Sequence, residues 1–309
     1  MYQTQIKRAR DSRSFLGWIL VIIGSALAAA AIGYYVIGGL ILEKTPTKLP
    51  PPEVIFSANA VIKTGVKSTS SSPSDNTIRE YLIPGGQYSK YKKVPVLMYH
   101  YIREMPGDDD QLGQVLSVTP ANFENQLKYL QSNGYESITI NQLKNGDVPA
   151  KPVVITFDDG YKDAYANAFP ILEKYNMKGV FYVVAGWTNR EIYLNWDEII
   201  EMDRAGMEIG SHTMTHRDVT SLIQSPNELK RQIEGSKDLL ESKLGHSIND
   251  FCYPYGTVSN DAITAVYKAG YRTATTTMMG SVKKGDYWMY LPRLRVHDNS
   301  DFNTLLNKY

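Results

Sequence analysis

From Lys92 onward the chain alternates short apolar runs with longer stretches whose apolar positions recur at helical spacing. This alternation constrains the fold more than any other feature, because parallel strands need a crossover connection and a helix usually supplies it. Strands are expected at 94–99, 153–157, 180–184, 207–210, 251–253, 272–276 and 291–296. A helix is expected to start at Thr119-Pro120, with Pro at its first position and Gly134 beyond its end, and others over about 161–175, 196–205, 227–244 and 261–269. Such a series gives a largely parallel α/β sheet, and about seven βα units favour a barrel over an open sheet, although periodicity alone does not decide between them.

Ahead of this series, residues 15–42 carry no charged side chain. The run exceeds the roughly 20 residues that span a bilayer. Lys7, Arg8, Arg10 and Arg13 precede it, while Glu43 and Lys44 follow, so the positive-inside rule puts the N-terminus in the cytoplasm. A buried core helix and a cleaved signal peptide are the other readings of such a run. The apolar stretch outlasts a normal signal h-region, which favours an uncleaved anchor. Residues 43–91, with Pro50-Pro51-Pro52 and the serines between Ser68 and Ser74, cannot build a core. As a flexible coil this stretch reaches on the order of 40 Å. The expected organisation is a basic cytoplasmic segment (1–14), a single transmembrane helix (15–42), an extracellular linker (43–91) and a folded domain (92–309), held single-pass in the cell membrane with that domain outside.

A net charge of +1, with Lys and Arg spread along the chain, lacks the basic stripe of a nucleic-acid binder. The single cysteine, Cys252, permits neither an internal disulfide nor a Cys-based zinc site. The 22 Tyr against 8 Phe suit a wet, sugar-binding groove, since Tyr joins a flat apolar face to a hydroxyl tip, but Tyr also serves ordinary surface packing.

Three short motifs carry chemistry. Asp158 and Asp159, before Gly160, close an apolar strand where α/β barrels place catalytic groups; the same residues also suit a solvated turn. His212 and His216 follow another strand, and their spacing of four lets two imidazoles converge on one metal if the segment turns helically. One carboxylate with two histidines leaves metal positions open for water and substrate, whereas unrelated surface histidines are the plain alternative. Tyr253-Pro254-Tyr255-Gly256 is a turn that can present a backbone N–H to a cleft.

In this order, each at a strand end, the motifs resemble the polysaccharide deacetylase family, also called the NodB-homology or carbohydrate esterase family 4 domain. The resemblance covers about 94–309. It implies a distorted (β/α)7-type barrel with a groove for extended glycans, Asp159, His212 and His216 as metal ligands, Asp158 as general base, and the Tyr255 N–H as a holder of the oxyanion. Two positions depart from the family. Cys252 stands where most members have an Arg, two places before the motif Pro. The acid histidine, usually late in the chain, finds its best match early, in Val96-Leu97-Met98-Tyr99-His100. That arrangement is similar to a permuted branch that includes biofilm poly-N-acetylglucosamine deacetylases, as are Leu291-Pro292-Arg293 and the stretch 302–309. The branch implies His100 as the acid and Arg293 in place of the missing Arg beside Asp158. It implies no acid at His297, and His246 is expected to be dispensable.

The activity so implied is metal-dependent removal of N-acetyl groups from N-acetylglucosamine units of a β-linked cell-surface polysaccharide, releasing acetate, with poly-β-1,6-N-acetylglucosamine favoured. Zinc is the expected metal, and cobalt, nickel or iron suit the same ligands. A peptidoglycan N-acetylglucosamine deacetylase would use the same site, and an acetyl-xylan esterase is a more distant rival. An inactive, anchored glycan-binding protein is the non-enzymatic alternative, opposed by the intact motif residues and kept open by Cys252. The catalytic domain is expected to be monomeric.

Overall fold

A computed structural model of the protein describes residues 93–105 and 111–309; the expected N-terminal segment, transmembrane helix and linker lie outside them. Among the described residues no helix is long and apolar enough to cross a membrane. In chain order the elements are β1 (Val96–Tyr99), β2 (Tyr101–Ile102), α1 (Gln111–Leu116), β3 (Ser117–Val118), α2 (Pro120–Ser132), β4 (Glu136–Ser137), α3 (Ile140–Asn145) and β5 (Pro152–Phe157). There follow α4 (Phe169–Lys174), β6 (Val180–Val183), α5 (Trp196–Arg204), β7 (Glu208–Ser211), α6 (Pro226–Leu244), β8 (Asp250–Cys252), α7 (Asn260–Lys268), β9 (Thr273–Met279), β10 (Leu291–Arg295) and α8 (Phe302–Lys308).

The strands β1, β5, β6, β7, β8, β9 and β10 pair in parallel, and β10 returns to β1, closing a seven-stranded barrel. β4 adds to the start of β5, while β2 and β3 form a separate parallel pair. The ring is uneven: β7 and β8 share the single register pair Ser211↔Phe251, and the register of β10 on β9 shifts between Leu291 and Arg293.

Strand periodicity of two sorts the side chains into layers. Leu97, Tyr99, Leu294 and Val296 pack outward with Phe123, Leu127 and Leu130 of α2 and Leu306 of α8. The alternate residues Val96, Val154, Val180, Tyr182, Cys252 and Leu291 form an inner cluster closed by Trp288. Gly210 makes room for that interior, because a Cβ there would lie 2.6 Å from the Tyr182 ring. Each fully buried Leu or Phe contributes about 1.5–3 kcal/mol, so truncating Leu127 to Ala would cost roughly 2–5 kcal/mol.

Local sequence fixes the helix starts. The Thr119 side chain accepts from the Asn122 N–H at the head of α2, and capping boxes of Thr139 with Gln142 and of Asn195 with Glu198 open α3 and α5. All seven expected strands are present, with ends displaced by up to three residues. The helix expected over 161–175 is instead a wide π turn, Ala164–Ala168, leading into α4. Pro170 has no N–H to donate to the preceding turn, so a regular helix cannot run through it.

Candidate active site

The C-terminal mouth of the barrel gathers the candidate residues: His100 after β1, Asp158 and Asp159 after β5, His212 and His216 after β7, and Tyr255 after β8. Arg293 lies within β10. Of the six described non-glycine residues with positive φ, four belong to these segments: Asp159, Thr213, His216 and Tyr255, at 73, 68, 54 and 61°. Such backbone costs energy and persists only where the surroundings enforce it.

Asp159, His212 and His216 come together. Asp159 Oδ1 lies 3.4 Å from His212 Nε2 and 3.2 Å from His216 Nε2, and one ligand atom from each falls within 4.8 Å of the others. The two histidines converge through an irregular turn rather than the helical turn expected from their spacing, because Thr213 and His216 adopt left-handed backbone. His212 Nδ1 donates to the Cys252 carbonyl at 2.8 Å, which turns Nε2 toward Asp159. Asp159 Oδ1 is buried without a hydrogen-bond partner. Burial alone would raise the Asp159 carboxyl, but His212 and His216 pull it well below the usual range. An orphaned carboxylate oxygen facing two imidazole nitrogens is the donor set that a divalent cation satisfies, with positions left for water and substrate.

Beside this set, Arg293 holds Asp158 through two hydrogen bonds, Nη1 to Oδ1 at 2.6 Å and Nη2 to Oδ2 at 2.7 Å. Its Nε donates to the Thr276 carbonyl, Nη1 also to Thr156 Oγ1, and Nη2 also to Cys252 Sγ. All five guanidinium donors are therefore used in a fully buried position. Cys252 thus leaves room for, and accepts from, a guanidinium that reaches Asp158 from another strand. Burial opposes ionisation of Asp158, yet the charge and hydrogen bonds of Arg293 hold its carboxyl below the usual range. His100 Nε2 stands 3.8 Å from Asp158 Oδ2. Burial lowers the proton affinity of His100, Asp158 and Asp159 raise it, and Arg295 and Arg293 push it down again, with a net lowering.

Tyr255 is exposed, and its ring lies 4.7 Å from that of His216. The turn needs Gly256, since a Cβ there would collide with the Thr277 side chain. His297 lies apart from this group, donating from Nδ1 to the Val115 carbonyl at 3.2 Å. His246 pairs with Asp203 at 2.9 Å and lines a cavity of about 350 Å³ that also touches Glu208, at the opposite end of β7 from the histidine pair.

Sequence reasoning missed an aromatic rim. Tyr101 stacks on Tyr161 at 3.9 Å, Tyr161 on Tyr193 at 5.3 Å, and Trp187 joins Tyr193 to His216 at 5.0 and 5.7 Å. The available signal was adjacency, because Tyr101 follows His100 and Tyr161 comes two places after Asp159.

The family profile described as Polysaccharide deacetylase matches residues 145–274. That range holds both aspartates, His212, His216 and Tyr255, while His100 and Arg293 fall outside it. YxkH of Bacillus subtilis, whose name places it among polysaccharide deacetylases, is 32% identical over 212 residues, covering 67% of this chain and 72% of its own. The poly-beta-1,6-N-acetyl-D-glucosamine N-deacetylase of Staphylococcus aureus is 27% identical over 209 residues, or 62% of this chain and 72% of its own. The structure of the Streptococcus pyogenes deacetylase PplD in complex with acetate superposes with a TM-score of 0.64 at 29% identity, covering 70% of this chain and 97% of that one. By these likenesses the chain belongs to the polysaccharide deacetylase family and is a deacetylase, a hydrolytic enzyme.

Proposed function

We propose that this enzyme removes N-acetyl groups from N-acetylglucosamine units of a cell-surface polysaccharide by metal-dependent hydrolysis, with poly-β-1,6-N-acetylglucosamine as the favoured substrate. The observation that carries the metal dependence is the unpartnered Asp159 Oδ1 facing two imidazoles. The glycan assignment draws support from the substrate in the name of the Staphylococcus aureus relative, and the acetyl product from the acetate bound by the Streptococcus pyogenes enzyme.

In this reading Asp159, His212 and His216 hold the cation. When bound, it supplies Lewis acidity to the amide carbonyl and to the attacking water. Asp158, kept ionised and fixed by Arg293, accepts the proton that the water loses as its oxygen bonds to the carbonyl carbon. The Tyr255 N–H stabilises the charge that develops on the carbonyl oxygen. An amide nitrogen cannot leave as an anion, so His100 protonates it as the C–N bond breaks. With His100 Nε2 3.8 Å from Asp158, the proton taken from water can be returned to the departing nitrogen. The products are acetate and a glucosamine unit. The uncharged run 15–42 and the linker that follows it support anchorage in the cell membrane, with the catalytic domain outside.

Acetate release from defined β-1,6-linked N-acetylglucosamine oligomers, chito-oligomers and peptidoglycan tests the reading, with and without chelator. The expected result is release from the β-1,6 oligomers that stops on chelation and returns with zinc or cobalt. Release confined to peptidoglycan would replace the substrate, and chelator-resistant release would remove the metal.

A further inference from the structure

Arg295 takes no part in the proposed reaction, yet its position is singular. Leu294 and Val296 pack outward against the helical layer, so strand alternation turns Arg293 and Arg295 together toward the barrel interior. Arg295 is the register partner of Met98, two places before His100, and the Val296 N–H bonds the Met98 carbonyl. Its guanidinium therefore belongs to the rim beside His100, where the leaving nitrogen of the substrate would lie.

That guanidinium is half-buried. Among the described residues it forms no salt bridge and no side-chain hydrogen bond, and the neighbouring carboxylate, Asp158, is already claimed at both oxygens by Arg293. A half-buried cation whose opposite charge, Asp158, is already bonded to another arginine keeps its own donors free for what enters the site. A second cation brought close to it would be repelled far more strongly than in bulk water.

We propose that Arg295 is a specificity-determining residue that reads the charge of the glycan, accepting neutral N-acetylated units around the scissile sugar and rejecting protonated glucosamine units. The inference rests on the deacetylase reading and deepens it. The enzyme's own product is the cationic unit, so Arg295 limits processing next to an earlier cut and leaves deacetylated units spaced along the chain.

The test uses metal-loaded protein and two β-1,6 oligomers of equal length, one fully acetylated and one carrying a single glucosamine at a defined position. kcat/KM is measured by acetate release, and cut sites are mapped by mass spectrometry. The native protein should favour the fully acetylated oligomer about tenfold, in the range of a single close like-charge contact. Arg295→Met should bring the two within about twofold, mainly through KM for the charged oligomer, and should allow adjacent cuts. Arg295→Lys, which keeps the charge, should keep the discrimination, and Arg295→Gln supplies the neutral arm if the Met variant fails to fold. Lys268→Gln, an exposed charge loss at the end of α7, should change nothing. Unchanged discrimination in Arg295→Met, an equal rate loss on both oligomers, or the same relaxation in Lys268→Gln would each overturn the inference. Absence of acetate release from any glycan by the native protein would instead overturn the deacetylase reading beneath it.

Discussion

Arg293 grips both carboxylate oxygens of Asp158, at 2.6 and 2.7 Å, across 135 positions of sequence. The pair is out of water, so removing either partner strands the other. Arg293→Met should lower stability by about 3–5 kcal/mol in denaturant titrations and depress turnover. Arg293→Lys restores the charge without the planar fork and should recover only part of both. Asp158→Asn should keep its metal and lose roughly 10²–10⁴-fold in kcat, the range for a general base. Near-normal turnover in that variant would move the base elsewhere, with Asp159 the next candidate.

Metal content should follow the carboxylate–imidazole set. His216→Ala should lose most of its bound metal together with its activity, because two remaining ligands hold a cation weakly. His246→Ala should keep a full complement, since His246 pairs with Asp203 and lines the cavity at the opposite end of the barrel strand. Metal analysis after exhaustive dialysis decides it, and full occupancy in His216→Ala would mean the ligand set is wrong.

His100 and His297 can be told apart by rate. His100→Ala should retain fold and metal yet lose about 10²-fold or more in kcat, while His297→Ala, whose ring bonds a loop carbonyl, should stay within about a factor of three. The reverse pattern would remove the likeness to the permuted branch on which the substrate choice leans.

Stability should also carry a signature from the end of the barrel opposite the candidate site. Burial, with the nearby charge of Asp250, lifts the Glu208 carboxyl from 4.5 to about 8. The folded chain thus holds a proton that the unfolded chain releases. The resulting stabilisation is complete below about pH 4.5 and is lost as pH rises toward 8, a change on the order of a few kcal/mol. Urea midpoints of the native protein should therefore fall between pH 5 and 8.5 relative to Glu208→Gln, which stays neutral. Parallel curves for the two proteins would refute the assignment.

A fragment beginning at Tyr91 should be soluble and should release acetate from oligosaccharides as the whole chain does. A folded, metal-loaded fragment without activity would give the preceding segments a role beyond anchorage and reach.

Much of the fold and site was legible in the sequence. Apolar strands alternating with helical stretches gave a parallel α/β sheet and favoured a barrel without deciding it. Asp158, Asp159, His212 and His216 stood out at strand ends, with a solvated turn and unrelated surface histidines as alternatives until the family likeness joined them. Arg293 was legible only through a family likeness, since nothing in its own neighbourhood points to an aspartate 135 positions away. The aromatic rim escaped because Tyr101, Tyr161, Trp187 and Tyr193 come from separate loops, and their stacking exists only after closure. The break before Pro170 was readable from that proline alone, yet the helical period on either side masked it.

β10 lies beside β1, and this one seam brings the arginine of the last barrel strand to the aspartate after β5 and beside the histidine after β1. A chain made from its N-terminus can gather Asp159, His212 and His216 while the barrel is still open, but it cannot fix Asp158 until β10 has emerged and docked. On the proposed role of Asp158, catalytic power is therefore the final property to mature during biosynthesis. If the proposed metal dependence holds, partly made or misassembled chains carry metal without releasing acetate, so activity per bound ion doubles as a gauge of ring closure.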